Sequence, residues 1–194
     1  MADTLEARDD APLSASKRKD AIDDATGTLR DGQGSSIVGR AVTINRPVAE
    51  LYAYWRDLAN LATFMDNVVS ITPLNATRSH WVVKAPGGRT VEWDAAITEE
   101  RENALIAWAS EEGADIPNSG RVEFRDAGDR GTVIVATILY DPPGGAIGKL
   151  IAKMFQREPA IQARRDLRRF KQLMETGEIA TSSFTKAQLA EEKE

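Results

Sequence analysis

Val133-Ile134-Val135-Ala136-Thr137-Ile138-Leu139-Tyr140, joined directly to Asp141-Pro142-Pro143-Gly144-Gly145, is the stretch that decides the fold of this 194-residue chain. Eight residues rich in β-branched side chains read as a strand, and the Pro-Pro-Gly-Gly cluster ends it. The strand is apolar on both sides, so it is covered on both faces, by a helix on one and by smaller helices or a partner on the other. The residues after the cluster have helical spacing. Ile147, Leu150, Ile151, Met154 and Phe155 form one stripe, and Ala160, Ala163, Leu167, Phe170 and Met174 form a second after Glu158-Pro159. Pro159 removes a backbone donor and clashes with the preceding turn, which predicts a kink with the helix restarting there; Gly177 reads as the C-cap.

Upstream the period changes from helical to alternating. Strands are predicted over roughly 67–74, 79–86, 89–98, 104–110, 119–126 and 131–140. Pro86-Gly87-Gly88 and Gly128-Asp129-Arg130-Gly131 supply the positive-φ residues that hairpins require. An odd-numbered loop at 86–88 places Trp81 and Val83 on the same face as Val91, Trp93, Ala95 and Ile97, leaving Glu92 and Asp94 on the other. Ahead of these, Ser36–Asn45 reads as a first strand. Pro47 then suits the first position of a helix whose Val48, Leu51, Tyr52, Trp55, Leu58 and Ala59 share one apolar face, and a second short helix is expected over Leu61–Met65. Residues 1–35 have too few large apolar side chains to offset chain entropy and read as a disordered arm; residues 181–194 read as a polar tail. The domain is therefore 36–180. It is an α+β unit in which a curved antiparallel sheet of about seven strands, with two small helices, is gripped by a long kinked C-terminal helix.

Composition narrows the chemistry. The chain has no cysteine, which excludes disulfides and thiolate sites. It has no apolar run long enough to span a bilayer, and Met1–Glu6 lacks the basic and apolar regions of a signal peptide, so a cytoplasmic protein is expected. His80 is the single histidine, which rules out a histidine metal cluster; neither a metal nor a cofactor is expected. Gly144-Gly145-Ala146-Ile147-Gly148-Lys149-Leu150 is one residue short of a phosphate loop and carries Leu150 where Ser or Thr must hold Mg²⁺. The net charge of −5 conceals a basic segment: residues 149–171 hold eight Lys/Arg against two acidic residues, leaving −11 on the rest. Arg164, Arg165, Arg168 and Arg169 read as a solvated helix face, or as a face for transient contact with an anionic membrane. No aromatic residues lie beside them for base stacking, so a nucleic-acid partner is not expected.

Three residues could move a proton: Glu92 and Asp94, at i and i+2 on one strand, and His80. Because Val91, Trp93 and Ile97 take the inward face, Glu92 and Asp94 are expected outside, solvated, while a lone His80 beside Trp81 reads as a surface or hydrogen-bonded residue. Arg121, Arg125, Tyr52, Tyr54 and Thr137 are the polar groups that could orient a ligand. The aromatic residues serve equally as structural core or as the lining of an apolar pocket.

The local wording resembles a known family. Arg46 through Leu61 resembles the first helices of the bacterial polyketide cyclase/dehydrase and lipid-transport family (SRPBCC, START-like helix-grip proteins). So do Ser79-His80-Trp81, Val91-Glu92-Trp93-Asp94, Ile106-Ala107-Trp108, Arg130-Gly131-Thr132 and Tyr140 through Gly145. Arg165 through Leu173, with Glu175 through Glu178, is similar to the closing helix of a bacterial branch to which no catalytic residues attach. The resemblance spans about 36–180 and implies a hydrophobic cavity between sheet and long helix, used across the superfamily for lipids, sterols, polyketides or hormones. Trp55, Phe64, Trp93, Trp108, Phe124, Ile138, Tyr140, Leu167 and Phe170 are the residues expected to line it. The function expected is binding of a hydrophobic small molecule as carrier or sensor. The alternatives are a cyclase/dehydrase enzyme with an acid or base in the cavity, and a protein-interaction module whose cavity is shut.

Overall fold

The computed structural model describes residues 36–85, 87–140 and 159–180, and in it seven strands form a single sheet. In chain order the elements are β1 (Ser36–Ile44), α1 (Val48–Arg56), a 3-10 helix (Leu58–Thr63), β2 (Val68–Pro73), β3 (Arg78–Ala85), β4 (Arg89–Arg101), β5 (Leu105–Ser110), β6 (Asn118–Asp126), a short 3-10 turn (Gly128–Arg130), β7 (Thr132–Tyr140) and α2 (Pro159–Thr176). The sheet order is β1-β7-β6-β5-β4-β3-β2. Every pairing is antiparallel: β2 to β7 make a meander, and β1 returns along β7. The sheet curls into a half-barrel around α2, which is the helix-grip arrangement expected from the order of periods. The arm 1–35, the tail 181–194, the Asp141–Gly145 turn and the stripe from Ile147 to Phe155 lie outside the described residues, as does the stretch before Pro159 that the kink concerns.

The helices arise from their apolar spacing. Leu51, Tyr52 and Trp55 are the buried side of α1, and Leu167 and Phe170 that of α2. Both sides meet Val42, Ile44, Ile106, Val122, Phe124, Ile134 and Ala136 from the concave face of the sheet in one core. Pro47 caps α1 with extended backbone instead of starting it, and the second short helix is a 3-10 segment centred earlier than its apolar residues implied. A larger difference concerns β7. The small helices do not cover its second face, because Leu51, Tyr52, Trp55, Leu61 and Phe64 pack on the same side as α2. Val133, Val135 and Thr137, on the opposite face, are buried nonetheless.

Two backbone approaches lock α2 to the sheet. Arg46 Nε donates to the Met174 carbonyl at 2.7 Å and Arg46 Nη2 to that of Glu175 at 3.0 Å, while the Asn45 N–H donates to Glu175 Oε1 at 2.7 Å. The last carbonyls of a helix have no partner of their own, so a guanidinium there satisfies them and complements the helix dipole. Gly177 then turns the chain with φ +79°, its N–H bonded to the Leu173 carbonyl. On the other side of the same link, Gly131 (φ +85°) presses against Ile44–Arg46, and Thr132 Oγ1 donates to the Arg46 carbonyl at 2.8 Å. The far border of the sheet, β2, shifts register between Val68 and Ser70 and ends in Pro73.

Candidate functional site

Strand alternation divides the concave face into two zones. At one end Trp55, Phe64, Phe124 and Phe170 fill the space between sheet and helices, each at most 4% exposed. Their rings meet at 4.7 Å (Phe64–Phe170), 5.2 Å (Trp55–Phe170), 5.4 Å (Trp55–Phe64) and 6.2 Å (Trp55–Phe124); the Trp55–Phe170 and Trp55–Phe124 pairs are edge to face, as ring quadrupoles prefer. Leu167 joins them at 2% exposure. These five residues, all expected at the cavity, form the closed end of the concave face.

Further along the strands the same face carries Trp81, Trp93, Trp108 and Ile138, each only partly buried. The predicted face assignment holds in the ladder: Trp81 lies opposite Trp93 and Val83 opposite Val91. The two indoles lie nearly parallel, 6.0 Å apart at 9°. Trp81 Nε1 donates to Ser79 Oγ at 2.9 Å, whereas Trp93 Nε1 is buried without a hydrogen-bond partner among the described residues. Trp108 lies opposite Gly120 and covers it; a Cβ there would stand 2.5 Å from Trp108 Cζ2. Gly120 thus permits a large flat ring to rest on the backbone of β6. Tyr140 closes β7 opposite Asn118.

The proton-moving candidates sit on the other side. His80 pairs with Asp94 across the ladder, with Nδ1 2.7 Å from Asp94 Oδ1 and Nε2 3.6 Å from Glu92 Oε2, all on the convex face. Arg78 adds an ion pair to Glu111 beside them. Arg121 and Arg125 also face outward, both paired to Glu123, because Gly120, Val122 and Phe124 take the inward positions of β6. Thr137 is outward by the same parity against Ala136 and Ile138. Tyr52 and Tyr54 are bound up within the protein, Tyr52 to Glu100 and Tyr54 to Thr63. The polar groups expected to orient a ligand are therefore turned away or already engaged. Among the described residues no three His, Asp or Glu converge as a metal ion would require.

Sequence pattern missed Glu100. Strict alternation from Trp93 would turn it outward, but the register of β4 shifts between Ile97 and Glu99, and Glu100 swings toward α1. There it accepts from Tyr52 Oη and from Arg56 Nε, both at 2.6 Å. These two hydrogen bonds, Tyr52's first, hold its carboxyl below the usual carboxylate range. Burial, aided by the bond to Glu100, pushes the Tyr52 hydroxyl up to about 12. A carboxylate so stabilised is a poor base and a phenol so shifted is a poor acid at neutral pH. The arrangement braces α1 against the end of β4. A run such as Glu99-Glu100-Arg101 gives no hint of a bulge, so nothing in the pattern could have found it.

The basic face of α2 divides as well. Arg169 Nη1 pairs with Asp66 at 2.7 Å and its Nε donates to the Phe64 carbonyl at 2.9 Å, while Arg164 and Arg168 are exposed. Asp166 points into this contact and accepts from Gln162 Nε2 at 2.9 Å. Burial outweighs that hydrogen bond and the one from the Asp66 backbone, and with the nearby Asp66 charge raises the Asp166 carboxyl from 3.8 to about 6. Between about pH 3.8 and 6 the folded chain holds a proton that the unfolded chain has released. Stability from this group is thus present at the acid end and is lost as pH rises through 6. Asp166→Asn is expected to match the parent near pH 4 and to exceed it above pH 7. Urea midpoints between pH 4 and 8 check this, and parallel profiles would refute it.

A separate groove of about 230 Å³ runs between α1 and the β2–β3 turn, bordered by Arg56, Leu58, Pro73, Ala76, Thr77 and Arg78. It lies outside the concave face and is smaller than ordinary small-molecule sites, which begin near 300 Å³.

Comparison with known proteins adds three findings. The family model described as polyketide cyclase / dehydrase and lipid transport matches residues 44–168. A crystal structure from Deinococcus radiodurans is 42% identical with a TM-score of 0.60, over 74% of this chain and 100% of its own. One from Thermus thermophilus is 24% identical with a TM-score of 0.58, over 71% and 94%. The Zhui aromatase/cyclase of Streptomyces sp. R1128 is 13% identical with a TM-score of 0.59, over 75% and 99%; it and the Thermus protein share the fold alone. No curated protein matches.

Proposed function

The chain belongs to the polyketide cyclase/dehydrase and lipid transport family, and from that premise we propose that it binds a hydrophobic small molecule, as a carrier or sensor, against the open zone of its concave face. The ligand rests on Trp93, Trp108 and Ile138, beside Tyr140, with the Trp55–Phe64–Phe124–Phe170 cluster and Leu167 as the end wall. One observation carries this reading. The inward residues of the sheet that keep accessible surface include Trp81, Trp93, Trp108 and Ile138, with Arg40, Ser110 and Asn118 as polar neighbours that carry no carboxylate or imidazole, whereas His80, Glu92 and Asp94 face outward and Glu100 is clamped by Tyr52 and Arg56. Such a surface can bind without chemistry: burying roughly 300 Å² of apolar area gains roughly 7 kcal/mol before the losses of association. Carriage without catalysis is therefore favoured over cyclisation. A closed interaction module is disfavoured, since Val69 and Leu74 are the large apolar side chains exposed among the described residues, too little for a docking patch.

The protein acts in the cytoplasm on this reading, and exposed Arg164, Arg165 and Arg168 offer transient contact with an anionic membrane from which a ligand is collected. Native mass spectrometry of the purified protein, followed by organic extraction, tests the proposal. A bound apolar molecule at one per chain is expected. A protein that retains none, and that after extraction takes up no lipid or aromatic probe saturably, would overturn it. Conversion of the extracted molecule by the protein, lost in Glu100→Gln, would replace carriage with catalysis.

A further inference from the structure

We infer that the indole N–H of Trp93 is the polar anchor of this site, and that the ligand it selects is an aromatic or flat apolar molecule bearing a hydrogen-bond acceptor such as a carbonyl. The inference rests on the binding reading above and narrows it from any apolar guest to one with an oriented oxygen. Trp81 and Trp93 form a matched pair, opposite each other in the ladder and stacked at 6.0 Å, yet their donors fare differently. Trp81 Nε1 is satisfied by Ser79 two residues back on its own strand. Trp93 Nε1 is buried and has no partner among the described residues. A buried tryptophan N–H ordinarily finds an acceptor, because leaving it bare forfeits its hydration for nothing. The acceptors nearest in sequence cannot supply one: Glu92 and Asp94 are committed to the convex face by strand alternation, where they flank His80.

The surroundings fit a flat ligand. The parallel indoles of Trp81 and Trp93 offer an aromatic wall, and Trp108, lying on Gly120, puts a third indole on the same face. An aromatic body stacks on such surfaces without a charge to hold it. A single acceptor meeting Trp93 Nε1 then fixes its orientation, the role one polar group plays in an otherwise apolar pocket.

Two near-isosteric probes separate these ideas: 2-acetonaphthone, which carries a carbonyl, and 2-isopropenylnaphthalene, which has none. The extracted protein is titrated with each by calorimetry, and the four tryptophan indole N–H resonances are followed by ¹⁵N-¹H NMR. The ketone is expected to bind roughly tenfold more tightly than the alkene, as one added hydrogen bond allows. It should move the Trp93 indole proton downfield, which the alkene should not. In Trp93→Phe the preference should vanish while the alkene affinity holds; in Trp108→Phe both should weaken with the preference kept. Equal affinities, or a preference that survives Trp93→Phe, would overturn the anchor and leave an apolar site standing. Saturable binding of neither probe would overturn the binding reading itself. Should Trp93→Phe fail to fold, the wild-type resonance decides: a Trp93 indole proton unmoved by the ketone refutes the anchor.

Discussion

Phe170→Ala should lower the free energy of unfolding by about 3–5 kcal/mol, the range for deleting a fully buried aromatic side chain. Phe170 is 0% exposed and is the residue through which α2 enters the core. Its ring meets Phe64 at 4.7 Å, Trp55 at 5.2 Å and Tyr54 at 5.7 Å. Those partners come from α1 and the 3-10 segment behind it, which are themselves held by the sheet, so the surroundings cannot collapse into the void. Lost transfer energy and an unfilled cavity therefore add. Phe170→Leu keeps most of the volume and should lose less than half as much. Urea unfolding with an unchanged slope measures both. A deficit below about 1 kcal/mol for the alanine variant would mean that the aromatic cluster is not close-packed.

Gly131→Ala should be nearly as damaging, on the order of 3 kcal/mol, for a different reason. Gly131 holds φ +85° and ψ −118°, a combination that an L side chain resists. An added Cβ would also run into the Ile44 carbonyl oxygen and stand 2.6 Å from the Arg46 nitrogen. Both are main-chain atoms and cannot rotate aside as a side chain could. Any relief moves residues 44–46, the segment that supplies Arg46 and Asn45 to the last turn of α2. Gly128→Ala in the same turn is the control. Its φ of +60° carries the conformational term alone, and the space beside it is empty, so about 1 kcal/mol is expected. Equal losses at the two positions, read from thermal midpoints, would show that the contact with Ile44–Arg46 is loose.

How much of this was readable beforehand depended on period. Strands announced themselves wherever one face was apolar, and Gly87-Gly88 with its odd loop even fixed which residues shared Trp93's face. The β7 reading went astray because apolarity on two sides says that both faces are covered, not by what. The site was harder. Trp93, Trp108 and Ile138 could be placed inward by pattern, but pattern could not separate them from Trp55, Phe64 and Phe170, which are equally apolar and differ in being fully buried among the described residues. Arg121 and Arg125 were candidates by charge alone, and the alternation of Gly120, Val122 and Phe124 already argued for the opposite face. Glu100 was illegible because a one-residue bulge leaves no compositional trace, and Ser79 because its service to Trp81 is a local side-chain bond.

The irregular margin at β2 has a bearing on the company this chain keeps. An open sheet offers its last strand's free amides and carbonyls to any neighbour able to add another. Here the shifted register between Val68 and Ser70 breaks the even row, and Pro73 subtracts a donor at its end. Molecules meeting along that margin find few bonds to share. The β2 edge is in this way kept from stitching one molecule to the next.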